Sequence, residues 1–557
     1  SAGSRLNVNN GTFKISTGVN ISPYYGNITL CSSTGKLYIN HPDAVLQTVG
    51  YGLAAGSGNV TVNGILQVAN GTVNFGSGNN TITVNGTLRV EGSLAKLNIA
   101  GAASFPNGSY LIMSNGEFNL DPQAGNNLSA GNVLSFGDQA YVNFTGGTLT
   151  FVDPKNFTGS YDFFIPSAGE INKNFAGSNI CFGNGVSSTT GTAEGFTLRA
   201  PDRYQLSLGS VKVNSPAGSN RHVRIQRIDA VNNLIIQNLN IVSGEFQLSG
   251  IPLQISGNIS NSGQINASNI ADRFVMKGAS AQTIGAGTII TPTNNLILEI
   301  DNAAGVTLNA PMTLKTLVLT KGKLNTSTVN ILTIQQGGSV GNGNSTSYVK
   351  GPLKLILPAS TTANYAFPVG FGNYNLLELT TCRTNAGGTV EMIAEVVDSD
   401  CGGSYSFGTP PDEYYLNRNH YWKVSISAGQ ANFTDSYVRI TEVTQTTGQY
   451  LARSLTVDGV YSNISVLPGG VSGNTIVSSS ALTQTGGILG YFCTASNFMS
   501  GTYTVGPGGT FTSLTGSSNS LFLAINSRGM RGDITAQIIG NITEDGSTTL
   551  NKWNEAG

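Results

Sequence analysis

Apolar and polar residues alternate over short stretches of this chain, and one such stretch recurs. Residues 60–68 read VTVNGILQV and residues 82–90 read ITVNGTLRV, an offset of 82 − 60 = 22 residues. Alternation with a period of two predicts strands with one buried face. The Asn-Gly pair inside each copy predicts a corner, because Gly adopts the positive φ that other residues resist. Two strands and a corner, repeated about every 22 residues, favour a coil of a parallel β-solenoid.

The same pattern returns throughout the first part of the chain. Residues 73–75 (VNF) are echoed by residues 97–99 (LNI), an offset of 97 − 73 = 24, and by residues 239–241 (LNI). No stretch keeps a helical period, so we expect almost no helix. The sequence therefore predicts a parallel, right-handed β-helix over residues 1–340, with polar inserts looping out at 121–130 and 187–194. The basic segment 221–227 is interpreted as the wet face of one strand.

The pattern changes at the Gly-, Asn- and Ser-rich segment 337–347, which we interpret as a domain boundary. Longer strands separated by turns follow, which favours an antiparallel, Ig-like β-sandwich over residues 346–497. A third change near residue 500 predicts that residues 500–557 begin a further β-helix repeat and are truncated within it. Residues 521–526 are expected to form a short helix or a capping turn.

Composition narrows the function classes. Only 10% of the 557 residues are charged, whereas typical globular domains have about 25%. Uncharged polar side chains suit a solenoid, since they can stack between coils without like-charge repulsion. The net charge of −1 gives no basic field for nucleic acid, so no nucleic-acid partner is expected. No apolar run reaches the ~18 residues that span a bilayer, so no membrane insertion is expected.

The sequence predicts no catalytic, cofactor-binding or metal-ligating residues. The three His residues are far apart and have no metal-ligand spacing. Asp398 and Asp400 form a tight acidic pair that we interpret as part of a turn, with a calcium site as the less favoured alternative. Residues 337–341 spell G-x-S-x-G, but neither a following helix nor a His partner accompanies them, so they are interpreted as linker.

Cysteines and aromatic residues supply the remaining candidates. Cys382 and Cys401 lie in one predicted domain and could form a disulfide in an exported protein. Adjacent aromatics at 421–422 are expected in the core of the sandwich, with a carbohydrate platform as the alternative. Two tyrosine pairs in polar, turn-forming surroundings are the candidates for exposed contact: Tyr24, Tyr25, Tyr414 and Tyr415.

Several segments resemble a module common in very large secreted surface proteins of Bacteroidota. Four segments of this chain resemble the module: 347–353 (SYVKGPL), 367–370 (FPVG), 374–379 (YNLLEL) and 421–422 (YW). The preceding solenoid of such proteins resembles 300–308 (IDNAAGVTL) and 321–325 (KGKLN), and another of their repeats resembles 501–511, 526–529 and 543–546. These matches cover roughly residues 280–557.

The resemblance implies a setting and a set of partners. Similar proteins are exported by the type IX secretion system and act as adhesins, including gliding-motility adhesins, or as cell-surface fibres. It implies a secreted, cell-surface location for this chain. The expected partners are a surface polysaccharide or other cell-surface ligand, neighbouring modules of the same long chain, and the secretion and attachment machinery.

We therefore expect a non-catalytic, structural and adhesive segment of an extracellular fibre protein, without a cofactor. One alternative is a carbohydrate-active β-helix enzyme or its carbohydrate-binding part, which clustered carboxylates at coil spacing would favour. Another is a repeating filament subunit whose copies join end to end.

Overall fold

The computed structural model is an all-β protein with many parallel strands. It describes residues 6–24, 26–48, 57–75, 81–123, 131–155, 159–166, 172–187, 195–199, 205–215, 222–226, 234–285, 288–289, 295–403, 406–407, 414–441, 449–465, 471–472 and 475–551. The chain divides into two compact units, Ser1–Gly322 and Lys323–Gly557. In the described part of the chain, no helix is long and apolar enough to cross a membrane.

The first unit is built from short strands. They are β1 (Gly11–Ile15), β2 (Asn20–Tyr24), β3 (Gly26–Cys31), β4 (Gly35–Thr48), β5 (Ser57–Val62), β6 (Ile65–Phe75), β7 (Thr81–Val84), β8 (Thr87–Val90), β9 (Ala95–Ile99), β10 (Ala102–Phe105), β11 (Tyr110–Met113), β12 (Glu117–Leu120), β13 (Leu134–Phe136), β14 (Tyr141–Phe144), β15 (Thr148–Phe151), β16 (Phe163–Phe164), β17 (Lys173–Phe182), β18 (Phe196–Arg199), β19 (Ser207–Asn214), β20 (His222–Gln226), β21 (Leu234–Ile236), β22 (Leu239–Ser243), β23 (Glu245–Gln247), β24 (Pro252–Ile255), β25 (Ile259–Asn261), β26 (Gln264–Asn266), β27 (Arg273–Met276), β28 (Gln282–Ile284), β29 (Thr288–Ile289), β30 (Ile297–Asp301), β31 (Val306–Leu308) and β32 (Met312–Lys321).

These strands pair in parallel with strands one repeat away. The two copies of the recurring segment align as predicted, with Val60 opposite Ile82 and Leu66 opposite Leu88. The echo at an offset of 24 also aligns, since Val73 lies opposite Leu97. One eleven-stranded sheet follows the chain in the order β3, β5, β7, β10, β13, β16, β18, β20, β23, β26, β29. The 22-residue period of the sequence therefore corresponds to the spacing along the chain between strands that pair in parallel.

Alternate residues of each strand form the core. In β6 buried and partly exposed positions alternate, and the buried side chains are apolar. Successive strands place apolar groups above one another, as Phe151 and Phe182 do with stacked rings 5.2 Å apart. Complete burial of such side chains contributes roughly 1.5–3 kcal/mol each. Strand β20 has one buried face and one partly exposed face, as expected for the basic segment. Arg221 and Arg227 of that segment lie outside the described residues.

The corner glycines serve a different purpose from the one predicted. Gly64 and Gly86 do not have positive φ, so the expectation of a left-handed corner is wrong at both. A Cβ added to Gly86 would instead lie under 3.0 Å from the carbonyl oxygen of Gly64, and one added to Gly64 would be equally close to the carbonyl of Gly35. Glycine is needed because the corners stack too closely for a side chain.

In its described residues, the second unit contains β33 to β51 and one α-helix. Its elements are β33 (Leu324–Asn325), β34 (Leu332–Val340), β35 (Val349–Lys350), β36 (Leu353–Leu357), β37 (Thr362–Phe367), β38 (Val369–Gly370), β39 (Leu377–Thr384), β40 (Val390–Val397), β41 (Ser406–Phe407), β42 (Tyr414–Leu416), β43 (Tyr421–Ala428), a 3₁₀ turn (Gln430–Asn432), β44 (Phe433–Thr441), β45 (Gln449–Ser454), β46 (Ser462–Asn463), β47 (Val471–Ser472), β48 (Thr475–Val477), β49 (Ile488–Ser496), β50 (Met499–Val505), α1 (Leu521–Arg528) and β51 (Met530–Ile538).

Strand pairing in this unit changes from parallel to antiparallel at β36. One edge of β36 pairs in parallel with β34, and the other pairs antiparallel with β40. Strands β37, β39, β44, β48 and β47 then form one antiparallel sheet, while β40, β43, β49 and β45 pair antiparallel in another. Trp422 is fully buried and donates its indole N–H to the Asn375 carbonyl at 3.1 Å, which confirms the expected core position.

Two further expectations can be compared with this unit. The interpretation of residues 337–341 as linker is wrong over residues 337–340, because β34 continues through Val340. The helix expected at residues 521–526 is present as α1, and Leu521 and Ile525 pack in a small core with Met499. Strands β50 and β51 beside it pair in parallel.

Candidate binding surface

Parallel stacking places outward side chains of the first unit in columns. We call one of them the outer polar column, and it follows the strand register from β4 to β25. Its members are Gln47, Asn74, Asn98, Asn119, Thr150, Cys181, Lys212, Asn240 and Ser260. Neighbouring strands lie about 4.8 Å apart, so the four steps from Asn98 to Lys212 span roughly 19 Å.

The amides in this column bind one another. Asn98 donates its side-chain N–H to Asn74 Oδ1 at 2.8 Å and accepts one from Asn119 at 2.9 Å. Each amide offers both a donor and an acceptor, so identical side chains can stack without charge repulsion. The same arrangement joins Asn85 to Asn63 at 2.8 Å and Asn174 to Asn143 at 2.9 Å. Neutral amides thus make the hydrogen bonds between neighbouring strands, which agrees with the low content of charged residues in this chain.

A groove of about 390 Å³ lies along the outer polar column. Its lining is Asn98, Asn119, Asp121, Thr150, Val152, Cys181, Gly183, Asn184, Lys212 and Asn214. Burial raises the pKa of the Cys181 thiol more than the nearby Lys212 ammonium lowers it, so the thiol is protonated at neutral pH. The groove presents neutral hydrogen-bonding groups, one carboxylate and one ammonium.

Two exposed tyrosines lie side by side on the same unit. Tyr110 of β11 and Tyr141 of β14 are directly opposite in the parallel register. Their ring centroids are 5.5 Å apart and the rings are tilted by 44°. The residues remain 46% and 39% exposed, although large aromatics usually bury their rings. Asn143, whose amide is bonded to Asn174, lies two residues after Tyr141 on the same face of β14. Exposed aromatic and amide groups on one face can hold a ligand that has both apolar faces and hydroxyl groups.

The sequence argument did not find this tyrosine pair. Its signal is an offset of 141 − 110 = 31 residues between two Tyr residues that each start a strand. The repeat is irregular between about residues 100 and 235, so a fixed 22-residue period did not align them.

The tyrosines that were expected to be exposed lie elsewhere. Tyr414 is only 6% exposed and packs edge-on against Tyr450, with ring centroids 4.7 Å apart. The Tyr415 hydroxyl lies 3.2 Å from Ser500 Oγ, and the Arg531 guanidinium lies 4.2 Å from its ring. The expectation of surface contact is wrong for Tyr414, because it is buried against Tyr450. Tyr415 remains partly exposed, so surface contact by this residue stays a prediction. Tyr24 and Tyr25 cannot be placed, since the side chain of the first and all of the second lie outside the described residues.

Cys382 and Cys401, the candidate disulfide partners, have different neighbours in the structure. All five cysteines are free thiols in this structure. Cys382 lies in β39, in the sheet with β44, where its side chain bonds Ser436. Cys401 instead lies beside Cys493 and Tyr461 in a separate buried cluster. Membership of one domain did not place the two residues together.

The acidic pair at 398–400 has local partners. Asp400 Oδ1 accepts the Gly402 N–H at 2.9 Å and the Arg418 Nε–H at 2.6 Å. The first bond is the turn role that was expected of it. Within the described residues, no three His, Cys, Asp or Glu side chains are close enough together to hold a metal ion.

A buried ion pair in the first unit was not found from the sequence either. Lys155 Nζ lies 3.9 Å from Asp162 Oδ2, and the two side chains are 1% and 0% exposed. Lys155 also donates to Thr197 Oγ1 at 2.9 Å, and Asp162 accepts the Thr197 N–H at 2.7 Å. Burial raises the pKa of Asp162, against the opposing effects of Lys155 and these hydrogen bonds. The pair ties Lys155, after β15, and Asp162, before β16, to Thr197 of β18.

Comparison with known proteins adds no assignment: no protein-family model, curated protein or solved structure matches this chain.

Proposed function

We propose that this chain is a structural and adhesive segment of a secreted cell-surface protein, and that it is not an enzyme. In this proposal the first unit is a right-handed β-helix that gives reach and stiffness, followed by an Ig-like sandwich and by a further β-helix repeat. The parallel register of the first unit and the two antiparallel sheets of the second support that architecture. The resemblance of segments between residues 280 and 557 supports export by the type IX route.

The observation that carries the adhesive role is the exposed pair Tyr110 and Tyr141. Exposed aromatic side chains provide contact area with little loss of conformational freedom. The hydrogen-bonded amides of Asn143 and Asn174, on the same strand face as Tyr141, supply donors and acceptors at strand spacing. This combination favours a surface polysaccharide, whose sugar rings have apolar faces and hydroxyl edges.

Binding of purified chain to a panel of polysaccharides tests the proposal. The double variant Tyr110→Ala/Tyr141→Ala should bind the best polysaccharide at least tenfold more weakly, since truncating aromatic anchors commonly costs more than 1 kcal/mol. Phe13→Ala is the matched control, because Phe13 is also exposed, at 44%, and lies in the same unit. Equal affinity of both variants and the original chain would reject this surface.

The same samples separate the alternatives. Release of reducing sugar by the purified chain would support the enzyme and reject our choice. Periodic fibres assembled from the isolated chain in negative stain would support the filament subunit instead. The open reading frame tests the export route: further modules and a C-terminal sorting domain are expected, and a frame that lacks both would overturn it.

A further inference from the structure

Two cysteines from distant parts of the second unit meet in its interior. Cys401 follows β40, and Cys493 lies in β49, opposite Ala452 of β45. Both are completely buried. They belong to one cluster with Tyr461, whose hydroxyl donates to the Cys401 carbonyl at 3.4 Å.

The segment around Cys401 is held in place from several sides. Gly402 and Gly403 have φ of +64° and +69°, which L-residues rarely adopt. A Cβ on either glycine would lie under 3.0 Å from atoms of Asp458 or Gly459. Asp400 is bonded to Arg418 on the other side. Because this backbone packs directly on the turn before Tyr461, the position of the Cys401 thiol is fixed relative to the cluster.

We propose that Cys401 and Cys493 are the disulfide-forming pair of this protein. The oxidant is an organic disulfide, RSSR, such as glutathione disulfide. Because both thiols are completely buried in the folded chain, the exchange takes place during folding, before the cluster closes. The Cys401 thiolate attacks one sulfur of RSSR, forming a mixed disulfide and releasing RS⁻. The Cys493 thiolate then attacks the Cys401 sulfur and releases the second RS⁻. The two protons lost by the cysteines go to the two RS⁻ groups, so two thiols are oxidised and RSSR is reduced to two RSH.

The acid–base properties of the pair agree with this order. The neighbouring Cys493 thiol lowers the pKa of the Cys401 thiol to about 7. Burial raises the pKa of Cys493. Of the two thiols, Cys401 therefore holds the larger thiolate fraction near neutral pH once the two are adjacent, and the thiolate is the reactive form.

The remaining cysteines are unsuitable partners. Cys31 and Cys181 belong to the first unit, and Cys382 lies in the sheet of β39 and β44 with Ser436 as its neighbour. Burial raises the pKa of Cys382 to about 12, so little thiolate forms there at neutral pH. A single intramolecular bond is expected in each chain, with three thiols left over.

Refolding of the full chain in a glutathione redox buffer tests the proposal. The refolded protein is denatured without reductant and alkylated, and its peptides are mapped by mass spectrometry. We expect three alkylated cysteines and one disulfide-linked peptide pair containing Cys401 and Cys493. Alkylation of all five cysteines, or a linkage that includes Cys382, would overturn the proposal.

A stability measurement on the same material gives a second readout. The oxidised chain should unfold at a higher urea concentration than the reduced chain, because the bond constrains the unfolded state. Cys382→Ser should keep this oxidation-dependent shift, while Cys401→Ser and Cys493→Ser should lose it. An equal shift in all three variants would refute the assignment even if one variant is less stable at the outset.

Discussion

Substituting Gly86 by Ala tests whether stacked corners dictate the repeat. Gly86 follows β7, and its backbone does not have positive φ, so alanine meets no conformational penalty there. An added Cβ would nevertheless lie under 3.0 Å from the carbonyl oxygens of Gly64 and Asn63. The backbone of one corner would have to move away from the corner below it. Overpacking of this kind costs about 1–3 kcal/mol.

Gly372→Ala is the matched control, because nothing lies within 4 Å of its added Cβ and its φ is not positive. At such a site alanine reduces the entropy of the unfolded chain and stabilises by about 0.4–1 kcal/mol. The same chemical change should therefore have opposite signs at Gly86 and Gly372. This difference in sign distinguishes steric stacking from a general effect of glycine replacement.

The measurement must resolve the two units, since a single transition is not expected for a chain of this size. Hydrogen exchange followed by mass spectrometry reports on peptides covering β5 to β8 directly. Gly86→Ala should speed exchange there by about 5- to 150-fold, which corresponds to about 1–3 kcal/mol. Unchanged protection in those peptides would refute the argument that corner stacking requires glycine.

Three other substitutions test the charges and amides. Lys155→Met should destabilise the first unit by about 3–5 kcal/mol in urea unfolding, because Asp162 loses its buried partner; Lys155→Met/Asp162→Leu should recover much of the loss, and a double variant no better than the single one would contradict this. Asn98→Asp removes the side-chain donor of a ladder and adds a charge, so it should weaken protection of β9 and β12 in hydrogen exchange, whereas Asn98→Gln, if equally disruptive, would show that amide bonding is not the cause. The hydrogen bond from Lys354 lowers the pKa of Glu391. The stabilisation by this carboxylate is therefore fully present above the unfolded pKa of about 4.3 and is lost as the pH falls through the lower folded pKa. The urea midpoint of the second unit should fall in that pH range, and Glu391→Gln should flatten this pH dependence.

Local alternation of apolar and polar residues predicted strands well, because burial of one strand face affects every second residue along the sequence. Segments 60–68 and 82–90 carry both the strand pattern and the offset, so their pairing followed from the sequence. The steric role of Gly86 did not follow, since it depends on a backbone one repeat away. A glycine can be required for positive φ or for close packing against another backbone, and only the position of the neighbouring carbonyl distinguishes the two.

The candidate site was harder to predict, because it depends on which residues the register places together. Tyr110 and Tyr141 become a pair only when an irregular 31-residue repeat is aligned. Tyr414 was expected to be exposed from its polar flanks, yet a ring 36 residues later in the sequence, Tyr450, covers it. Cys401 likewise meets a residue from β49. Residues adjacent in sequence are enough to predict a strand, whereas the contacts that define a site are made by residues of other strands.

The amide ladders also explain why the repeats keep their register. A slip of one residue in β9 would turn Asn98 inward and Leu97 outward, because side chains alternate between faces. The inward amide would lose its bonds to Asn74 and Asn119, and an unsatisfied buried amide costs about 1–3 kcal/mol on the scale of protein mutations. The exposed leucine would add the loss of its own burial. Because a slip of β6, β9 or β12 would incur both penalties, the amide ladder and the apolar core select the same alignment in these strands.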